Sequence, residues 1–179
     1  KLETICPHHE QTSSMAVDAY SRATENIGVG FFTSGPGATN AITGLGGAWQ
    51  DSVPCLFISG QVKKKETTND AKISGLRQFG VQELDLIPIV ESLCKYAITL
   101  NDPNKVRYEF EKACHIAKSG RPGPVWIQIP MDVQSTKIDE NNLEAFSISD
   151  TIPVATDTEI HNIIKLLKNS SRPVIISGQ

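Results

Sequence analysis

The sequence predicts an α/β domain, a parallel sheet flanked by helices. Three observations carry that expectation. Short β-rich runs alternate with longer stretches of helical periodicity along most of the 179 residues. The β runs, such as I-G-V-G-F-F-T (27–33), P-C-L-F-I-S (54–59) and V-W-I-Q-I-P (125–130), are apolar throughout instead of alternating. Strands covered on both faces read this way, and parallel sheets are built from them. Finally, 39% hydrophobic and 21% charged residues describe ordinary globular material, enough for a sizeable core.

In chain order, Leu2 to Cys6 is predicted as a strand. Glu10 to Asn26 is predicted as a helix with Met15, Ala16, Ala19, Tyr20 and Ala23 on one face. A strand over Ile27–Thr33 leads to a helix of small residues, Gly37–Trp49, and then to a strand over Pro54–Ser59. Gly60 to Gln82 is polar and reads as a long functional loop or mobile segment. Leu84–Ser92 suits a short helix and Lys95–Leu100 a strand. Asn104–Lys118 is a helix with Val106, Phe110, Ala113, Cys114 and Ala117 in one stripe. Gly120 stands where a helix C′ residue belongs, ahead of R-P-G-P and the strand 125–130. Met131 to Thr156 loses periodicity and reads as a linker. Asp157–Asn169 forms an amphipathic helix and Pro173–Ser177 one more strand. Both ends of the sequence are expected to be cut within longer units. No internal repeat or low-complexity tract is found.

Seventeen basic and twenty acidic residues give a net charge of −3, which excludes binding of nucleic acid or an anionic membrane by charge alone. No apolar run approaches the roughly 20 residues that span a bilayer. The four cysteines, Cys6, Cys55, Cys94 and Cys114, form no C-x-x-C pair. A disulfide or metal framework is not expected, and a reducing, cytoplasmic setting fits. The sequon Asn169-Ser170-Ser171 has no support from a secretion signal.

Chemistry can reside in few places. H-H-E-Q (8–11) lies between a strand and a helix, where parallel α/β domains bind ligands, so Glu10 is well placed. Its plainer role is that of an acidic first-turn residue favouring the helix dipole. Adjacent His8, His9 and Glu10 make a poor metal site, since H-E-x-x-H is absent. T-S-G-P-G-A-T-N (33–40) also joins strand to helix. Gly35 and Gly37 permit close backbone approach and Pro36 stiffens the turn. A phosphate cradle and a purely structural turn are both open there, but neither nucleotide fingerprint is present. The prolines of G-R-P-G-P (120–124) read as architectural. The lysine run 63–65 reads as a solvated loop able to steer an acidic substrate.

Taken in order, H-H-E-Q-T-S-S-M, T-S-G-P-G-A-T-N-A-I-T-G-L, A-W-Q-D-S-V-P, I-S-G-Q-V, V-Q-E and S-G-R-P-G-P-V-W-I-Q-I-P-M-D-V-Q resemble the pyrimidine-binding domain of thiamine-diphosphate enzymes. The resemblance is greatest to the acetolactate synthase and pyruvate oxidase group. It covers residues 1–138, about three quarters of the chain. It leaves 139–156 as a linker and 157–179, ending R-P-V-I-I-S-G-Q, as the start of the family's central domain. The resemblance implies that Glu10 is catalytic. In the family, a glutamate here hydrogen-bonds a ring nitrogen of the cofactor's aminopyrimidine and so promotes proton removal from the thiazolium carbon. It also implies that Thr33, Pro36, Gly37 and Asn40 line the aminopyrimidine pocket, and that Gln61 and Gln82 face a substrate channel.

Further expectations follow from the family. The substrate would be a 2-keto acid, and the active site would form between subunits of a homodimer or tetramer. Thiamine diphosphate and Mg2+ would be anchored by G-D-G and a later Asn, a motif not found here, so no metal ligand is assigned. FAD would sit mainly on the central domain. The loop K-K-K-E-T-T-N-D-A-K-I-S-G-L-R-Q-F-G-V-Q-E (63–83) is longer than in biosynthetic acetolactate synthases, which leaves substrate choice open. The sequence thus suggests a fragment of an acetolactate-synthase-like carboligase, inactive alone. The alternatives are a related decarboxylase, oxidase or hydrolase and, in another class, a non-catalytic binding module.

Overall fold

The computed structural model describes residues 3–148 and 154–177, in two units, Lys1–Ser147 and Ile148–Gln179. The first unit is built on four strands: β1 (Gly28–Phe32), β2 (Cys55–Gln61), β3 (Tyr96–Thr99) and β4 (Val125–Pro130). They lie in the order β1-β2-β4-β3 and every pair is parallel, with Phe57 facing Gly30 on one side and Trp126 on the other. This is the α/β architecture the apolar runs predict. The central strands β2 and β4 are buried along nearly their whole length because helices cover both faces.

One face carries α1 (Glu10–Thr24) and α3 (Ile42–Gln50), with α2 (Pro36–Asn40) leading into α3. Three buried rings, Phe32, Phe57 and Trp126, stack across β1, β2 and β4 at 5.8 and 5.3 Å between neighbouring centroids. The Trp126 indole N–H donates to Ser59 Oγ at 2.9 Å, so the ring is buried without an orphaned donor. The other face carries α6 (Val106–Lys118). Ala113 and Ala117 are fully buried there against Leu56, Ile58, Val125 and Ile127, with Val106, Phe110 and Cys114 packed around them. This is the predicted stripe. Gly120, at φ +56, follows the C-cap of α6 in the left-handed conformation expected of it.

Helix α1 turns its other side inward. Its buried residues are Ser14, Val17 and Ser21, whereas Met15 and Tyr20 are 49% and 54% exposed and Ala16, Ala19 and Ala23 are exposed as well. Close packing explains the reversal. A side chain at Gly44 of α3 would lie 2.4 Å from Ser14 Oγ, so only small residues fit at that crossing. Ser21 Oγ accepts from the Gly28 amide at 2.8 Å and lies 2.9 Å from the Pro54 carbonyl, tying the helix to the starts of β1 and β2.

Other departures are local. Residues 3–7 are irregular and Ile5 is 87% exposed. Among the described residues β1 pairs with β2 alone, so residues 3–6 of the strand expected at Leu2–Cys6 join no ladder; Leu2 itself lies outside the described residues. The expected helix Gly37–Trp49 begins one residue earlier and breaks at Ala41, whose amide bonds back to Ala38. Between β2 and β3 the chain forms a 3-10 turn at Lys64–Glu66 and two single-turn helices, α4 (Thr68–Ala71) and α5 (Ile87–Val90). The segment from Met131 is ordered at first, through α7 (Met131–Gln134). The Phe146 ring meets Tyr108 edge-on, and its amide donates to Glu111 at 2.8 Å, which keeps this stretch with the first unit.

The second unit contains α8 (Asp157–Asn169), which spans the predicted residues and starts at a capping box between Thr156 and Glu159. Pro173–Ser177 is irregular, not the expected strand, with Val174, Ile175 and Ile176 at least 77% exposed. A strand needs a neighbour for its backbone groups, and among the described residues this unit offers none.

Candidate active site

The carboxyl ends of β1, β2 and β4 open onto a groove of about 410 Å³, lined by Thr33, Ser34, Gly60, Gln61, Met131 and Gln134 among others. Ligands of parallel α/β domains gather at this end of the sheet. Beside it, two helix starts meet. His9 caps α1, its Nδ1 accepting from the Gln11 amide at 3.2 Å, which accounts for the histidine without a metal. Glu10 is then the first residue of α1. Asn40, at the end of α2, donates its side-chain amide to Glu10 Oε2 at 3.1 Å.

The carboxylate is partly exposed, and its surroundings favour the charged form. Its own backbone N–H, at the helix start, contributes most to lowering its pKa. The Asn40 amide comes next, and nearby His9 adds to both, against a small opposing effect of burial. Gly37 lies directly under this group. A Cβ there would stand 2.4 Å from Thr33 Cγ2 and 3.5 Å from Glu10 Oε1. A side chain at 37 would therefore crowd the Thr33 methyl and come into van der Waals contact with Oε1.

Of the residues predicted for the site, Glu10, Thr33, Gly37 and Asn40 come together, while Pro36 is the exposed first residue of α2. Gln61 and Gln82 are placed differently from one another. Gln61 lines the groove but is 7% exposed; its Nε2 donates to the Leu84 carbonyl at 2.8 Å and its Oε1 accepts from the Val62 amide at 2.9 Å. Gln82 is exposed, in the left-handed conformation at φ +59. Its carbonyl reaches toward Gly35, where an added Cβ would lie 2.2 Å from it. Gly35 caps α2 at φ +59, ψ −122, a region nearly restricted to glycine.

Within the lysine run Lys64 is tied into the fold, whereas Lys63 and Lys65 are exposed as expected of a solvated loop. Lys64 donates from Nζ to the Asn101 carbonyl at 3.1 Å and from its amide to Asp132 at 3.3 Å, while Lys63 pairs with Glu66 at 3.8 Å. Arg121 of the G-R-P-G-P segment donates to Ser52 Oγ and to the Gln50 carbonyl, an architectural contact. No sequence motif marks Glu83 as a site residue. It is 5% exposed and accepts from the Thr68 amide and hydroxyl and from the Phe79 amide at 2.9–3.1 Å. Among the described residues, no group of three or more His, Cys, Asp or Glu could hold a metal ion, and no helix is long and apolar enough to cross a membrane.

A parallel α/β domain with a carboxylate and an amide converging at the carboxyl end of its sheet defines a ligand-binding class of fold. The comparisons narrow the class. Residues 1–89 match the family described as thiamine pyrophosphate enzyme, N-terminal TPP binding domain. An acetolactate synthase of Arthrospira platensis is 36% identical over 174 residues, 95% of this chain and 28% of its own length. A probable acetolactate synthase large subunit of Methanocaldococcus jannaschii is 36% identical over 185 residues, 99% and 29% of the two chains. The acetolactate synthase large subunit of Lactococcus lactis is 33% identical over 179 residues, 99% and 30%. The chain belongs to the thiamine-diphosphate enzymes of the acetolactate synthase group. It spans less than a third of the length of these relatives.

Proposed function

We propose that this chain is the pyrimidine-binding part of an acetolactate-synthase-like carboligase. In this reading the full-length protein decarboxylates pyruvate and joins the two-carbon unit to a second 2-keto acid. The carrying observation is the Asn40–Glu10 hydrogen bond over the side-chain-free Gly37. The donor set suits an aminopyrimidine, because Asn40 holds one carboxylate oxygen and leaves the other to share a proton with a ring nitrogen. Thiamine diphosphate, when bound, supplies a nucleophilic carbon and an electron sink for 2-keto-acid chemistry.

In this assignment Asn40 holds Oε2, leaving Oε1 to share a proton with the weakly basic ring nitrogen. Thr33 and Gly37 form the wall beneath it, and Pro36, exposed at the start of α2, would border the bound ring. The charged state favoured for Glu10 in this chain makes it an acceptor; removing water from around it would raise its proton affinity toward what proton sharing needs. The outward face of α1, with Met15 and Tyr20, supports a subunit partner that encloses the site in a homodimer or tetramer. Gln61 and Gln82 would border the route of the 2-keto acid. Magnesium, and FAD if the protein uses it, belong in this reading to the part of the full-length protein outside this chain. The enzyme would work in the cytoplasm.

The test is an assay of the full-length protein with pyruvate, thiamine diphosphate and magnesium. Acetolactate that disappears when the cofactor is omitted is expected. Untouched pyruvate would move the protein to another thiamine-diphosphate reaction, a decarboxylase, oxidase or hydrolase acting on a different substrate.

A further inference from the structure

We infer that Glu83 is a positioning residue for the Glu10–Asn40 site, acting through the loop between β2 and α5. The inference rests on the reading of that site as an aminopyrimidine pocket and adds to it a residue outside the pocket.

The loop leaves the sheet after Gln61 and runs to Leu86 with only single helical turns inside it. Glu83 organises it. The residue is 5% exposed, and its carboxylate forms no ion pair among the described residues. A buried carboxylate without a cation is costly unless hydrogen bonds satisfy it. Here one oxygen accepts from both the amide and the hydroxyl of Thr68, and the other from the Phe79 amide. A single side chain thereby joins the outgoing and returning arms of the loop. On the other side of Glu83, Gln61 holds the Leu84 carbonyl.

Gln82 is next to this anchor. It adopts φ +59, uncommon for a residue with a side chain, and its carbonyl packs against Gly35. Gly35 in turn opens α2, accepting from the Thr39 amide at 3.0 Å, and α2 ends at Asn40, the partner of Glu10. The sequence of contacts is Glu83 to the loop, Gln82 to Gly35, and Asn40 to Glu10. Loss of the Glu83 contacts frees Gln82 to leave its uncommon conformation and removes the backstop from α2.

The test uses the full-length protein. Glu83→Gln keeps the volume but has one acceptor oxygen where three donors converge on two. Thr68→Val removes one donor, and Thr68→Ser restores it. Amide hydrogen exchange without cofactor is read over residues 67–83 and 35–41. Exchange of the thiazolium C2 proton is read with cofactor, with Glu10→Gln alongside. Glu83→Gln should speed amide exchange roughly tenfold in both segments and slow C2 exchange by a similar factor. Thr68→Val should shift both in the same direction by less, and Thr68→Ser should match wild type. Faster exchange in 67–83 alone, with 35–41 and C2 exchange unchanged, would overturn the inference. If Glu83→Gln fails to fold, the Thr68 pair decides by the same criterion. Unchanged C2 exchange in Glu10→Gln would instead defeat the pocket reading, leaving the coupling of the two segments to be judged from amide exchange alone.

Discussion

By size alone Gly35 and Gly37 are alike, yet the geometry separates them. At Gly35 an added Cβ would stand 2.2 Å from the Gln82 carbonyl oxygen, a backbone atom no rotamer change can remove. The backbone there, at φ +59 and ψ −122, is also strained for alanine. Strain of about 1–3 kcal/mol and overpacking of about 1–3 kcal/mol together cost about 2–6 kcal/mol. At Gly37 the obstacle is Thr33 Cγ2, the end of an exposed side chain that can turn about χ1. The stability cost should be about 1 kcal/mol or less. The new methyl would nevertheless occupy the space beside Glu10 Oε1. In the full-length protein, the slowest amides of β2 and β4 should exchange at least about 30-fold faster in Gly35→Ala, since about 1.4 kcal/mol corresponds to tenfold. They should be nearly unchanged in Gly37→Ala, which should instead lose affinity for thiamine diphosphate in calorimetry. Equal core protection in Gly35→Ala and wild type would refute the Gly35–Gln82 contact and the reasoning built on it.

Glu10→Gln in the full-length protein should retain cofactor binding and slow thiazolium C2 proton exchange on the order of 100-fold, the usual scale of a positioned acid–base group; NMR of the exchanging proton measures it. The carboxyls of Glu10 and Glu111 have folded pKa values below 4.5, set first by the Glu10 backbone amide and by Arg107 respectively. Such groups add stability above about pH 4.5 that is lost as pH falls through the folded values. Asn40→Ala, which raises the Glu10 value toward normal, should flatten the acid limb of a denaturation curve. Burial pushes the Cys94 thiol up to about 12 and Cys55 up to about 11. At pH 8 at most about one Cys55 in a thousand is thiolate, so both thiols should resist iodoacetamide until the domain unfolds, as mass spectrometry would show. A charge in the outward face of α1, Tyr20→Asp, should shift the full-length protein toward monomer in sedimentation without unfolding it.

How much of this was legible depended on whether a residue's neighbours lay within its own segment. The sheet was legible because strands buried on both faces carry an unbroken apolar signature, as in V-W-I-Q-I-P. The α6 stripe was legible because one face alone is apolar. In α1, helical periodicity locates faces but does not say which one turns inward. Met15 and Tyr20 make one face the more apolar, yet the close approach of Gly44 to Ser14 turns the face with Ser14, Val17 and Ser21 inward. The strands expected at Leu2–Cys6 and Pro173–Ser177 had the right composition, but strand character is realised only against a neighbour, and neither has one among the described residues. Glu10, Gly37 and Asn40 stood out through the motifs H-H-E-Q and T-S-G-P-G-A-T-N that hold them and not through local pattern, since Asn40 meets Glu10 across 30 residues. Glu83 did not. Its three donors come from Thr68 and Phe79, and nothing in V-Q-E signals that the glutamate, with its charge, is the buried member while the glutamine beside it is exposed. A loop of mostly polar residues can hide such an anchor because the anchor's environment is made by the loop's own closure. The buried acid and the left-handed residue next to it therefore mark where this loop is held against the site.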